Sequence, residues 1–126
     1  MKHIPALFGA LAFAACAATS VAATSIANFV ALRQSATVGS VIVTPLQVIE
    51  DSRCPANAHC RWAGRLVLRV RIEWGSRAEH RDMVGGGSVN IAGGTLILSG
   101  VGPEPGFADG PKSSEYRFSF TFVTGP

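Results

Sequence analysis

From Trp62 to Trp74 the side chains alternate between apolar and polar with a period of two. Trp62, Gly64, Leu66, Leu68, Val70, Ile72 and Trp74 share one parity, whereas Arg65, Arg69, Arg71 and Glu73 share the other. In an extended chain successive side chains leave by opposite faces, so this pattern describes a long strand with an apolar inner face and a charged outer one. Val67 is the one large apolar residue on the outer face. Near the C-terminus Tyr116, Phe118, Phe120 and Phe122 alternate with Arg117, Ser119, Thr121 and Val123. Three phenylalanines on one face supply a large buried area for a short chain. These two segments are the expected halves of a core.

Beyond residue 23 no stretch keeps a 3.6-residue apolar period for more than about two turns, which excludes a helical bundle. Weaker strand patterns run over Asn28–Gln34, Val38–Glu50, Arg77–Val84, Ser88–Ala92 and Thr95–Val101. Pro45 lacks an N–H, so the second of these carries a bulge or an edge there, with a change of inward parity. Gly85-Gly86-Gly87 and Gly93-Gly94 read as turns, the latter a two-residue hairpin loop. The stretch from Gly102 to Ser114, rich in Pro and Gly, reads as a long loop. Thr24–Ala27 reads as a short tether. About seven short strands with regularly spaced turns predict an all-β domain, a single small β-sandwich (Ig-like or similar) over residues 24–126, with a small β-barrel as the alternative. A length of 126 residues fits one domain.

The first 23 residues are different in kind. Lys2 and His3 precede an uncharged run, Ile4–Ala18, and a small-residue tract ends at Ala23. Val21 and Ala23 satisfy the −3 and −1 requirements of signal peptidase, so residues 1–23 read as a signal peptide. Ala12-Phe13-Ala14-Ala15-Cys16 is an imperfect lipobox, with Phe at −3, and is the basis for a rival reading in which Cys16 is lipidated. An uncleaved anchor is a third reading, disfavoured by Pro5 and Gly9 in the apolar run. All three put the domain outside the cytoplasm, periplasmic or secreted, with contact to a membrane only through a lipid or anchor. In an oxidising compartment the remaining pair, Cys54 and Cys60, reads as a disulfide. A loop this short limits its stabilisation to about 2–2.5 kcal/mol.

The segment Asp51-Ser52-Arg53-Cys54-Pro55, four residues, then Cys60-Arg61-Trp62-Ala63-Gly64 has the logic of a clasped corner between strands. Asp51 and Ser52 can accept bonds from backbone N–H groups where a strand ends. Pro55 forces a turn. Trp62 is expected to cover the sulfurs and enter the core, Gly64 to admit a neighbouring chain, and Arg53 to reach Glu50 or Asp51. These residues resemble the signature of an uncharacterised bacterial family of secreted proteins and lipoproteins, over about 95 residues and including the tyrosine before the last strand, here Tyr116. The resemblance implies an exported β-sandwich with this one disulfide and names no chemistry. Ala58 and Arg61 depart from the bulkier aliphatic residues usual there.

Chemistry-bearing sets are sparse. Cys54, His59, Cys60 and His80 are metal-ligand types without two well-separated pairs, so neither metal nor cofactor is expected. No Gly-x-Ser-x-Gly elbow is present. His80 and Asp82 share a strand parity and are the basis of an alternative reading as a small periplasmic hydrolase-type enzyme. Gly85-Gly86-Gly87 precedes no helix and no Lys-Ser/Thr, unlike a phosphate cradle. Net charge is only +3, too small for a nucleic-acid binder. Arg65, Arg69 and Arg71 project from one strand face, with Arg53, Arg61, Arg77 and Arg81 nearby in sequence. Guanidinium forks suit carboxylates and phosphates, so this face is the candidate surface for an anionic envelope component or protein partner. The expected function is that of an exported non-catalytic β-sandwich module, binding or structural, in the cell envelope.

Overall fold

A computed structural model describes residues 23–55, 58–104 and 111–125, together with His3 and Gly9. Cys16 and nearly all of the expected leader lie outside the described residues, as does the centre of the expected Gly102–Ser114 loop. The described residues form eight strands: β1 (Thr24–Val30), β2 (Ala36–Val38), β3 (Val41–Asp51), β4 (Leu66–Trp74), β5 (Arg77–Val84), β6 (Ser88–Ile91), β7 (Gly94–Gly102) and β8 (Arg117–Thr124). A 3-10 turn, Ser113–Glu115, precedes β8. Two four-stranded antiparallel sheets result, in the orders β1-β8-β7-β6 and β2-β3-β4-β5. Neither sheet closes into a barrel, and the inner faces of the two make one core.

That core follows from the alternation. Leu66, Leu68, Val70 and Ile72 of β4 are buried, as are Phe118, Phe120 and Phe122 of β8, with Val41, Val43, Leu96 and Leu98 between them. Burying the three phenylalanines contributes about 1.5–3 kcal/mol each, together comparable with the whole net stability of a small domain.

Several expectations shift in detail. The β1 strand starts at Thr24, not Asn28, so the supposed tether is paired with β8. The expected Val38–Glu50 strand is divided by the Gly39-Ser40 turn into β2 and β3, which gives eight strands instead of seven. The two-residue loop between β6 and β7 is Ala92-Gly93, one position earlier than expected, because Ile91 pairs with Gly94. Both of its residues have positive φ, 53° and 74°, as a hairpin turn matched to the strand twist requires. Gly85-Gly86-Gly87 is a crossing between sheets: Gly85 N–H donates to Leu66 O at 2.9 Å on β4, and Gly86 N–H to Leu98 O at 2.8 Å on β7.

Pro45 behaves as its chemistry demands. Its carbonyl accepts the Arg33 N–H at 2.6 Å. In an antiparallel strand a residue's N and O point to the same side, so the missing donor also faces away from β4 and costs that ladder nothing. The β3–β4 register shifts between Pro45 and Gln47. Inward parity changes with it, from Val41, Val43 and Pro45 to Leu46 and Val48.

Candidate functional site

Beyond β3 and ahead of β4 the two chains stay paired. Ser52 N–H donates to Arg65 O at 2.8 Å and Cys54 N–H to Ala63 O at 3.1 Å. Ser52 Oγ accepts the Arg65 N–H at 3.0 Å. Gly64 makes this approach feasible: its φ is 67°, and a Cβ there would stand 1.8 Å from Ser52 O. Cys54 and Cys60 form the disulfide, with Cα atoms 5.8 Å apart. Trp62 departs from expectation and is 78% exposed. The alternation that begins cleanly at Leu66 does not extend back through Gly64, whose left-handed backbone breaks the parity.

The same corner reaches across to the other sheet. Arg53 grips Asp51 with two bonds, Nε to Oδ1 at 2.8 Å and Nη2 to Oδ2 at 2.9 Å. Its Nη1 donates to Pro103 O at 3.2 Å. Tyr116 Oη donates to Asp51 Oδ2 at 2.7 Å. Of its two expected partners Arg53 thus takes Asp51, and the two side chains are each only 16% exposed. The Arg53 guanidinium beside Asp51 holds its carboxyl below the usual carboxylate range, against the opposing effect of burial and with help from the Tyr116 hydroxyl. Burial, then the bond to Asp51, pushes the Tyr116 phenol up to about 12. Asp51, Arg53 and Tyr116 thus clamp the end of β3 to the start of β8.

The arginines of the outer face are matched one by one. Arg65 Nε lies 2.6 Å from Glu50, Arg69 Nε 3.0 Å from Asp82, and Arg71 Nε 2.5 Å from Glu73. All six side chains are more than a third exposed, so solvent screening leaves each pair a weak contribution to stability. Arg77 and Arg81 do not join this face. They sit opposite Trp74 and Val70 and so leave β5 on its inner side, where Arg81 pairs with Glu79 at 2.9 Å. His80 and Asp82 do share the outer face with Arg71 and Arg69, and with Arg69 and Arg81 they line a shallow depression. Asp82 is held by Arg69 through both carboxylate oxygens. Among the described residues no three His, Cys, Asp or Glu side chains group as metal ligands.

A larger concavity of about 640 Å³ lies on the flank of the sandwich, within the roughly 300–1,000 Å³ typical of ligand sites. Its walls come from the β1–β2 crossing (Ala31, Leu32, Arg33), from β3 after the bulge (Leu46, Gln47, Val48), and from Ser113, Ser114 and Tyr116. Gln34 shapes the crossing: its N–H donates to Ala31 O, and its Oε1 accepts the Ala31 N–H, both at 3.1 Å. Arg33 has a positive φ of 66° and makes no ion pair among the described residues. None of these residues except Tyr116 and the neighbouring Pro45 was marked by the sequence patterns. The parity change after Pro45 was the available signal, since it turns Leu46 and Val48 toward this flank.

No helix among the described residues is long and apolar enough to cross a membrane, and the disulfide suits an oxidising compartment. No family model, curated protein or solved structure matches the chain.

Proposed function

We propose that the chain is an exported, non-catalytic binding module of the cell envelope, periplasmic or secreted, whose ligand seat is the flank cleft and whose partner is an anionic envelope component or protein. The leader-like residues 1–23 and the Cys54–Cys60 pair support export, with Cys16 as the site of any lipid anchor. The observation that carries the binding reading is Arg33, a cation without an acidic partner among the described residues, set in a cleft with Leu32, Leu46, Val48 and Tyr116. An anion at Arg65, Arg69 or Arg71 must displace Glu50, Asp82 or Glu73, whereas at Arg33 it meets no such competitor. The hydrolase-type alternative needs Asp82 to orient His80, and that carboxylate is already occupied by Arg69.

The test is retention of partners from envelope extract by immobilised mature protein at low and moderate salt. The wild type and the Arg65, Arg69, Arg71 triple alanine variant should retain a salt-sensitive partner that Arg33→Ala loses. Loss in the triple variant alone moves the seat to the sheet face. An empty column at low salt rejects the binding reading. Intact mass of the purified protein checks export by giving the first residue and any lipid on Cys16.

A further inference from the structure

β5 is a long strand with a neighbour on one side. It ends the order β2-β3-β4-β5, and no strand among the described residues lies beyond it. Its eight residues pair with β4 without a register shift, from Trp74↔Arg77 to Val67↔Val84. All of them except Met83 are exposed. The other outer strands are shorter or broken. β2 and β6 have three and four residues, and β1 shifts register between Ala27 and Val30. A regular open edge like that of β5 presents backbone donors and acceptors to a second extended chain.

The hairpin fixes which of these groups are free. Its two-residue loop, Gly75-Ser76, closes on the pair Trp74 and Arg77. At the far end of the same ladder Gly85 N–H donates to Leu66 O. Backbone groups alternate in direction along a strand, so those of Arg77, Glu79, Arg81 and Met83 face β4. Ala78, His80 and Asp82 turn both N–H and C=O to the open side.

The charges flanking His80 decide the register of any self-pairing. Glu79 and Arg81 lie on the inner side of β5, exposed, and pair with each other at 2.9 Å. Charges on an edge strand are a common guard against pairing. Here the guard is selective. Two copies that meet antiparallel, with His80 on the two-fold axis, set Glu79 of each opposite Arg81 of the other. The next hydrogen-bonding register to either side sets Glu79 against Glu79 or Arg81 against Arg81, and like charges directly opposite destabilise a ladder.

We infer that β5 pairs with β5 of a second copy of this chain, antiparallel about a two-fold axis at His80. The two β2-β3-β4-β5 sheets then become one continuous sheet. Ala78 lies opposite Asp82 and His80 opposite His80, and the outward groups of these residues make about six bonds across the seam. The Glu79–Arg81 contact within each copy is exchanged for one between copies. Both side chains are more than a third exposed, so the exchange costs little. The interface is self-complementary, as a closed dimer requires, and its small area makes association weak and concentration-dependent. It does not involve the cleft.

The test is sedimentation equilibrium of the mature protein, disulfide intact, from micromolar to millimolar concentration. The wild type should pass from monomer to dimer and form nothing larger. Glu79→Arg and Arg81→Glu each set like charges opposite one another twice across the seam, and each should weaken dimerisation by about tenfold or more. Mixed in equal amounts, the two variants should recover a dimer, because at these two positions one edge is then wholly basic and the other wholly acidic. Circular dichroism checks that both variants, altered only at exposed side chains, keep the fold. Amide exchange in the wild type should slow with concentration at Ala78, His80 and Asp82, and stay unchanged at Glu79 and Arg81. A monomer at every concentration overturns the inference. So does a dimer indifferent to both substitutions, or a mixture of the variants that stays monomeric.

Discussion

Tyr116→Phe removes one oxygen from the clamp and leaves the ring in place, stacked on Phe118 with centroids 5.8 Å apart. The lost bond, 2.7 Å to an ionised Asp51, belongs to a class worth about 1.5–3 kcal/mol. Asp51 keeps both bonds from Arg53, so no buried charge is stranded, and the cost should fall near the lower bound, about 1.5 kcal/mol. A second handle comes from the phenol, raised from 10.0 to about 12. Between those values the unfolded chain has released this proton and the folded chain retains it. Stability is therefore complete below pH 10 and declines as pH rises toward 12. Two pH units at about 1.4 kcal/mol each amount to roughly 3 kcal/mol. Tyr116 is the only tyrosine in the chain, so tyrosinate absorbance reports this group alone. Its midpoint should lie near 12 in the folded protein and near 10 in concentrated urea. Urea unfolding followed by circular dichroism should show the alkaline decline in the wild type and its absence in Tyr116→Phe. A folded-state midpoint near 10, or an undiminished decline in the variant, refutes the clamp.

Phe29 lies at a φ of 61° with 75% of its surface exposed, so Phe29→Gly should raise stability by about 1 kcal/mol, and a lower urea midpoint would contradict this. Gly64→Ala adds the left-handed penalty to a clash with Ser52 O and should cost about 2–5 kcal/mol, read as a fall in the thermal midpoint. Reducing the Cys54–Cys60 bridge, or replacing both residues by Ser, should cost about 2 kcal/mol without changing the far-ultraviolet spectrum, because the sheets close through the core; loss of the β signal would assign the bridge a larger part in folding.

The fold was legible because the alternation in β4 and β8 is nearly free of exceptions, and the burial of Leu66 to Ile72 and Phe118 to Phe122 follows it residue by residue. Register was less accessible. Positive φ at Gly64 and Ala92 displaced a tryptophan and a turn by geometry that residue type does not encode at an alanine and only permits at a glycine. The pairing Cys54–Cys60 and the role of Gly64 could be anticipated, since both are local. The Asp51–Tyr116 bond joins residues 65 positions apart, and only the topology brings them together. Likewise the outer arginines were visible as a row, but their neutralisation by Glu50 and Asp82 depends on cross-strand register, which a single sequence leaves open.

The clamp and the cleft meet in Tyr116, whose hydroxyl serves the first and which lines the second. A motif without catalytic chemistry of its own can therefore bear on binding by fixing a wall. Asp51 and Arg53 hold Tyr116 at the start of β8, and Pro45 bends β3 so that Leu46 and Val48 turn toward the same space. On the outer face, by contrast, each guanidinium already has a carboxylate within 3.0 Å, and an incoming anion gains only the difference between two similar partners. At Arg33 an incoming carboxylate faces no acidic competitor among the described residues, and it lies beside a partly apolar wall. The difference in competition, rather than the number of arginines, directs the binding reading to the flank.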